Sequence, residues 1–242
     1  MMQITETVKQ LLIINVLLFV GSYIIPQAQV YLPMYYFESE MFKFWQPITH
    51  MFMHGSPMHL LFNMFGLYMF GSILEQFWGG KKFLFFYISC GLGAALLHQG
   101  VNYYEFHSSY NSLIELGATQ DFINEILKQP VYNYNDSIVQ TLSDSYKIRA
   151  VGASGAIYGI LVAFGFMFPN EKLMLMFIPI GIKAKFFIPA LLLYDFLSGL
   201  NGSSVFGFGG GVAHFAHIGG ALTGFLIMWY WKKNSFNKNR WN

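Results

Sequence analysis

Residues 148–165 read IRAVGASGAIYGILVAFG, and at the head of the run Ser154 stands in Gly152-Ala153-Ser154-Gly155. The residues after it are apolar and continue to Pro169-Asn170, so the run predicts a membrane helix over about 151–168. A hydroxyl at the start of such a helix would lie just inside a bilayer. Ser154 is therefore the candidate nucleophile, and the rest of the chain is read for what holds it and what reaches it.

The 242 residues are 55% hydrophobic, 19% aromatic and only 11% charged, with a mean hydropathy of +0.42. Soluble domains carry about a quarter charged residues, so the composition points to a multi-pass membrane protein. The net charge of +2 gives no reason to expect a nucleic-acid partner. The lone Cys90 excludes an intramolecular disulfide and a thiolate metal cluster.

Working outward, five further spans are predicted, at about 10–25, 57–78, 83–103, 187–200 and 213–231. Together with 151–168 they make an all-α bundle of six transmembrane helices in a single domain, 1–242. The first is read as an uncleaved anchor, because no small-residue cleavage site follows it. Residues 27–56 mix aromatic and charged residues and predict a loop partly within the outer leaflet. Residues 105–147 predict a polar insertion outside the bilayer with a short helix at 120–128 capped by Thr119. Residues 171–186 are broken by Pro179, Gly181, Lys183 and Lys185 and predict an interfacial connection. The glycine-rich stretch 201–211 and the fifth helix are candidates for a moving gate.

Six spans put both termini on one side. With that side cytoplasmic, ten of the 14 Lys and Arg residues face the cytoplasm, which follows the positive-inside rule. This arrangement follows from charge and hydropathy alone, and it gathers His50, His54, His59 and Asn63 with His214, His217 and Ser154 at one depth on the outer side. Ionisable groups at such a depth are costly and mark function.

Three chemistries could use this cluster. One is a serine activated by an imidazole, with donors for an oxyanion. One is a metal site, since His50 and His54 are four apart and His214 and His217 three apart. The last is a conducting path for protons or solutes. The metal reading is weakened by the lack of HExxH and of a carboxylate at that depth in the second, fourth and sixth spans. An aspartyl pair is excluded, because Asp195 is the one acid of the fifth span and has no second membrane aspartate. The soluble-hydrolase elbow G-x-S-x-G is not met, since Ala156 replaces the last glycine. Gly155/Gly159 and Gly220/Gly224 are both GxxxG pairs, which let helices approach closely. Close approach of the fourth and sixth helices would bring Ser154 to a histidine.

Three segments in this order, HMFMHGSPMHLLFNMFG from His50, GASGAIYG from Gly152 and AHIGGALTG from Ala216, resemble the rhomboid family of intramembrane serine proteases. The resemblance covers about residues 10–231. It implies a Ser154–His217 dyad that needs no acid and no cofactor, acting on transmembrane protein substrates. It implies His59 and Asn63 as oxyanion-hole side chains and Tyr158 as an aromatic stacked on the imidazole. Gly152 and Gly155 belong to the serine motif, while Gly220 and Gly224 correspond to glycines that admit the sixth helix to the fourth. His50 and His54 correspond to a structural polar network, His214 looks similar, and Glu75 corresponds to a tie near the cytoplasmic end of the second helix. A bacterial cytoplasmic membrane with an outward-facing site is the expected setting. The alternative from another class is a catalytically silent membrane chaperone or solute carrier on the same scaffold. Two departures stand out: Trp45 is followed by Gln46 where many relatives carry Trp-Arg, and the 105–147 insertion is longer than in compact bacterial forms.

Overall fold

The chain is described by a computed structural model over residues 3–129, 134–175, 178–201 and 211–238. Helix α1 is Glu6–Ile24, α2 is Pro57–Trp78 and α3 is Gly80–Glu115, and these three are long and apolar enough to cross a membrane. Two short helices follow, α4 (Gln120–Lys128) and α5 (Ser137–Lys147). The serine helix α6 is Ser154–Met167, and α7 (Ala184–Asn201) and α8 (Gly211–Lys238) complete the bundle. The protein is a helical integral membrane protein, with Leu17, Phe85, Leu96, Leu193 and Leu226 among the apolar side chains left on its outside.

Local chemistry sets the starts of several helices. Ser56 accepts from the His59 amide and Pro57 occupies the first turn of α2, where no hydrogen bond is lost. Thr119 caps α4 by accepting from the Phe122 amide, and Asp136 caps α5 by accepting from Ile138 and Val139. Within α2 a π turn at Leu67–Gly71 lets the helix bend past α1, with Val8, Leu67 and Phe83 crowding Gly71.

Three elements differ from expectation. The third helix does not stop near 103 but runs 36 residues to Glu115, roughly 54 Å at 1.5 Å per residue. A bilayer core is about 30 Å thick, so its last turns stand clear of lipid. There Phe106 and Leu113 form a second core with Tyr36, Ile123, Ile126, Val139 and Leu142. The insertion is thus a small helical cap packed on the extension of α3 and on the first loop. Second, part of the expected interfacial connection is an antiparallel hairpin of β1 (Lys172–Leu175) and β2 (Ile178–Lys183), pairing Lys172 with Lys183 and Leu173 with Ile182. The scattered Pro and Gly concealed its period-two pairing. Third, α8 extends beyond 231 to Lys238. Most of the candidate gate stretch 201–211 lies outside the described residues.

The main core joins Val8, Leu67, Leu74, Phe83, Phe86, Tyr87 and Ile160. At the end of the bundle away from Ser154, Trp231 packs against Trp78 at 5.2 Å and Phe86 at 5.7 Å, with the Lys82 ammonium over its ring. Glu75 ties that end together: its carboxylate accepts from the Thr7 and Val8 amides at 2.9 Å and from the Thr5 hydroxyl. These donors include orphan amides of the first turn of α1, which a carboxylate suits on charge as well.

Candidate active site

The serine helix has only 14 residues, roughly 21 Å of rise. It cannot span a bilayer core, so the chain must descend into the bundle before α6 begins. The first loop provides the route. Met34 and Ala150 exchange both backbone hydrogen bonds, and the Gly152 amide donates to the His50 carbonyl at 2.9 Å. Gly152 has φ of +122°, a conformation that side-chain-bearing residues rarely adopt. A β-carbon there would also stand 2.7 Å from His59 Nε2. Ser154 opens α6, where the first amides have no intrahelical acceptor and the helix dipole favours negative charge.

Ser154 Oγ lies 2.9 Å from His217 Nε2, a hydrogen bond between residues on separate helices. The two helices meet backbone to backbone. A β-carbon on Gly220 would run into the Gly155 carbonyl, and one on Gly224 would lie 2.8 Å from the Gly159 α-carbon. Larger residues at these positions would separate α6 from α8 and the hydroxyl from the imidazole. Tyr158, one turn into α6, stacks on the His217 ring at 4.2 Å with planes 11° apart. Ser154 and His217 are both half-buried, so the pair sits in a recess that is not fully closed.

His59 and Asn63 project from one face of α2, a turn apart. The His59 Nε2 and Asn63 Nδ2 atoms both border Gly152, the latter 3.7 Å from the position of a β-carbon there. Asn63 Nδ2 is a buried donor with no hydrogen-bond acceptor among the described residues. A buried amide left unsatisfied costs on the order of 1–3 kcal/mol, and an oxyanion formed at Ser154 would supply the missing acceptor. His54 lies behind this pair, its ring edge-on to His59 at 5.1 Å. His50 bonds through Nδ1 to the Gln46 carbonyl at 2.9 Å. Both belong to the first loop, and burial holds their imidazoles neutral, with pKa values lowered from 6.5 to about 4 for His50 and about 3 for His54.

Gln46, at the departure from the Trp-Arg pair, is fully buried. It accepts from the Tyr35 amide at 3.2 Å and donates to the Tyr31 and Met41 carbonyls at 3.3 and 3.0 Å. Trp45 donates from its indole to the same Tyr31 carbonyl at 3.0 Å. The loop is therefore pinned by a neutral amide that satisfies three backbone groups.

One acid also lies near the site. Asp195, on α7 and 2% exposed, places Oδ1 at 2.5 Å from His214 Nδ1 and 3.3 Å from His217 Nδ1. Its signal was present: a single acid in an apolar span needs a partner. Its partners are histidines on the next helix rather than a second aspartate. These three side chains offer donor atoms all within 4.8 Å of one another. Tetrahedral zinc ligands at about 2.1 Å stand roughly 3.4 Å apart, so the 2.5 Å Asp195–His214 separation is that of a hydrogen bond rather than of two ligands around an ion.

Comparison with known proteins gives a match to the Rhomboid domain over residues 41–120 and 131–234. The rhomboid protease AarA of Providencia stuartii is 29% identical over 189 residues, covering 76% of this chain and 54% of that protein. RHOMBOID-like protein 12, mitochondrial, of Arabidopsis thaliana is 27% identical over 183 residues, covering 75% and 44%. Rhomboid protein 1, mitochondrial, of Saccharomyces cerevisiae is 25% identical over 184 residues, covering 75% and 40%. The chain spans about half the length of the curated relatives it matches.

Proposed function

Because the chain belongs to the rhomboid family, we propose that it is an intramembrane serine endopeptidase, cleaving peptide bonds in or near transmembrane segments of other membrane proteins. The observation that carries this reading is the 2.9 Å hydrogen bond from Ser154 Oγ to His217 Nε2 at the half-buried start of a short helix. An isolated serine hydroxyl is a weak nucleophile, and an adjacent neutral imidazole corrects that by taking its proton during attack.

A substrate helix unwinds locally and presents a carbonyl to Ser154. The Oγ–C bond forms as the hydroxyl proton passes to His217 Nε2. The carbonyl oxygen, now an anion, accepts hydrogen bonds from Asn63 Nδ2, His59 and the amides that open α6. Collapse breaks the C–N bond, and the imidazolium gives its proton to the leaving amine. A water then enters and bonds the acyl carbon as its proton passes to the same nitrogen; the Oγ–C bond breaks and the imidazolium returns that proton to Oγ. Tyr158 stacked on the ring keeps the imidazole plane in place through these steps. Gly152 supplies the positive φ and the room beside His59, Gly155 leaves space against Ala94, and Gly220 and Gly224 let the α6 and α8 backbones approach closely enough for this geometry.

The whole chain acts as one domain, with both termini in the cytoplasm and the recess opening outward. The bias of Lys and Arg supports that orientation. A bacterial cytoplasmic membrane is the setting we favour, although two of the relatives above are mitochondrial. The test is reconstitution of the full chain in liposomes with a reporter that carries a single transmembrane segment. Two fragments with one new amino terminus are expected, and none with Ser154→Ala. An intact reporter, or one cleaved equally by Ser154→Ala, would overturn the reading in favour of a non-catalytic scaffold.

A further inference from the structure

The β1–β2 hairpin carries a conflict that the chain itself does not resolve. Its register sets Lys172 directly opposite Lys183. Like charges so placed, with β-carbons roughly 5 Å apart, destabilise an antiparallel pair. Lys185 follows in the first turn of α7, where the helix dipole disfavours a cation. Among the described residues, none of the three ammonium groups makes an ion pair with a carboxylate. We propose that the hairpin face bearing Lys172 and Lys183, together with Lys185, is a docking surface for the phosphate headgroups of anionic phospholipids, in the leaflet opposite the site. This role stands whether or not Ser154 is reactive.

Strand alternation fixes which way this face looks. Leu173, paired with Ile182, packs against the bundle cluster of Leu161, Val162, Phe164, Ala184 and Ile188. Lys172 and Lys183 therefore stand on the opposite face, away from the bundle, and both are exposed. Gly181, two residues before Lys183, shares that face, and the Lys172 stem lies across it: a β-carbon on Gly181 would stand 3.1 Å from Lys172 Cβ and Cδ. Residues 171–186 hold three lysines against one glutamate, Glu171. The surface is positive, and an anion bound between the two paired lysines would remove their repulsion.

Depth identifies the anion. Asp195, in the second half of α7, reaches the histidines beside Ser154. The helix therefore begins at the other end of the bundle, where Phe168 meets Phe77 of α2 at 5.3 Å. Its 18 residues rise roughly 27 Å, close to the ~30 Å of a hydrocarbon core. Its outward side is apolar, with Phe186, Leu193 and Leu200 all about 60% exposed. The start of α7 thus lies at the edge of the hydrocarbon, and Lys183 and Lys185 stand at the level of the phosphates. The Lys185 ammonium sits over the Phe186 ring at 5.4 Å, so a cation and a lipid-facing ring occupy the same boundary. A zwitterionic headgroup brings its own cation to this surface, whereas an anionic one adds negative charge alone.

The experiment places the full chain in nanodiscs of phosphatidylcholine alone or of phosphatidylcholine mixed with phosphatidylglycerol, and reads the melting midpoint by intrinsic fluorescence at low salt. The wild type should melt higher in the anionic bilayer. Lys172→Gln combined with Lys183→Gln should invert the order of the two proteins. The variant should melt above wild type in phosphatidylcholine, where the repulsion is gone, and below it in the anionic bilayer, where the lipid contact is gone. Lys9→Gln combined with Lys81→Gln removes the same charge from the same end without touching a cross-strand pair, and should keep most of the wild-type response. Soluble glycerol phosphate added to phosphatidylcholine discs should raise the midpoint far less than the lipid does. A second reading needs no variant. A water-soluble acetylating reagent, with its sites mapped by mass spectrometry, should modify Lys172 and Lys183 several-fold more slowly in the anionic bilayer, with a smaller change at Lys81. Equal acetylation in both bilayers would overturn the proposal. So would a hairpin variant that responds to phosphatidylglycerol as wild type does, an equal loss of response in the Lys9 and Lys81 control, or an equal effect of glycerol phosphate.

Discussion

Two buried carboxylates, one near each end of the helical bundle, do opposite things. Glu75, at the end away from the serine, is 7% exposed and gives both oxygens to fixed donors: the Thr5 hydroxyl and the Thr7 and Val8 amides. None of those donors titrates near neutral pH or moves apart from α1. Asp195, near Ser154, is equally buried, but its Oδ1 is shared between the His214 and His217 imidazoles, with the Tyr158 phenol facing it as well. Saturation by backbone is what a structural tie needs. Asp195 is instead held by side chains from a neighbouring helix. The same contrast separates the two ends as a whole: aromatic rings close the Glu75 end, while the Ser154 end gathers His59, Asn63, Asp195, His214 and His217.

The sharpest way to break this contrast is at the Ser154 end. Asn63→Ala removes a donor that no described residue satisfies. Its loss should lower the cleavage or labelling rate by about 10²–10³-fold, with no fall in melting temperature measured by intrinsic fluorescence. A large fall in stability with an unchanged rate would make Asn63 a packing residue and erase the distinction. At the other end, Glu75→Ala should do the reverse. Orphaning the Thr7 and Val8 amides should cost about 1–3 kcal/mol each, read as a lower denaturation midpoint, while labelling per folded molecule stays at the wild-type rate.

Gly220→Ala probes the seam that joins the ends. Its new methyl would meet the Gly155 carbonyl, and overpacking of this kind costs about 1–3 kcal/mol. Because the displaced pair is Ser154 and His217, the labelling rate should fall together with stability. Gly100→Ala, with open space around its β-carbon, should leave both intact.

The smallest expected effect is one of pH on the first loop. His50 and His54 are neutral when folded, with pKa values near 4 and 3, below the 6.5 of the exposed group. A depressed folded pKa means the unfolded chain binds protons first. The stability these two contribute is therefore complete above about pH 6.5 and is lost as pH falls toward 4 and then 3. Each can weaken folding by up to about 1.4 kcal/mol per pH unit in that window. Melting curves between pH 7.5 and 4.5 should show the fall, and His54→Asn should flatten part of it. A midpoint unchanged across the window would mean the two rings are open to water.

Much of this was legible in the chain. Hydropathy located the helices to within a few residues at α1, α2 and α6, because a lipid-facing segment must be apolar throughout its length. The order of the His59, Ser154 and His217 segments pointed to one end of the bundle, and the structure brings Ser154 Oγ to 2.9 Å from His217 Nε2 there. What escaped reading depended on partners distant in sequence. The extension of α3 past Tyr104 is held by Phe106 and Leu113 meeting α4 and α5, against local signals of charge and interfacial tyrosine. The hairpin at 172–183 is set by pairing, which composition does not encode. Asp195 was visible as a lone acid, but its partners lie 19 and 22 residues away on another helix. Gln46 is a neutral amide in an aromatic-rich loop, and only the fold reveals the three backbone groups it satisfies.

The central claim is that Ser154 is made nucleophilic by His217. Treating the purified full chain with a fluorophosphonate and mapping the adduct by mass spectrometry tests it most directly. A single adduct on Ser154, lost in His217→Ala, is the predicted result. No adduct, an adduct on another residue, or one that persists at the same rate without His217 would contradict it.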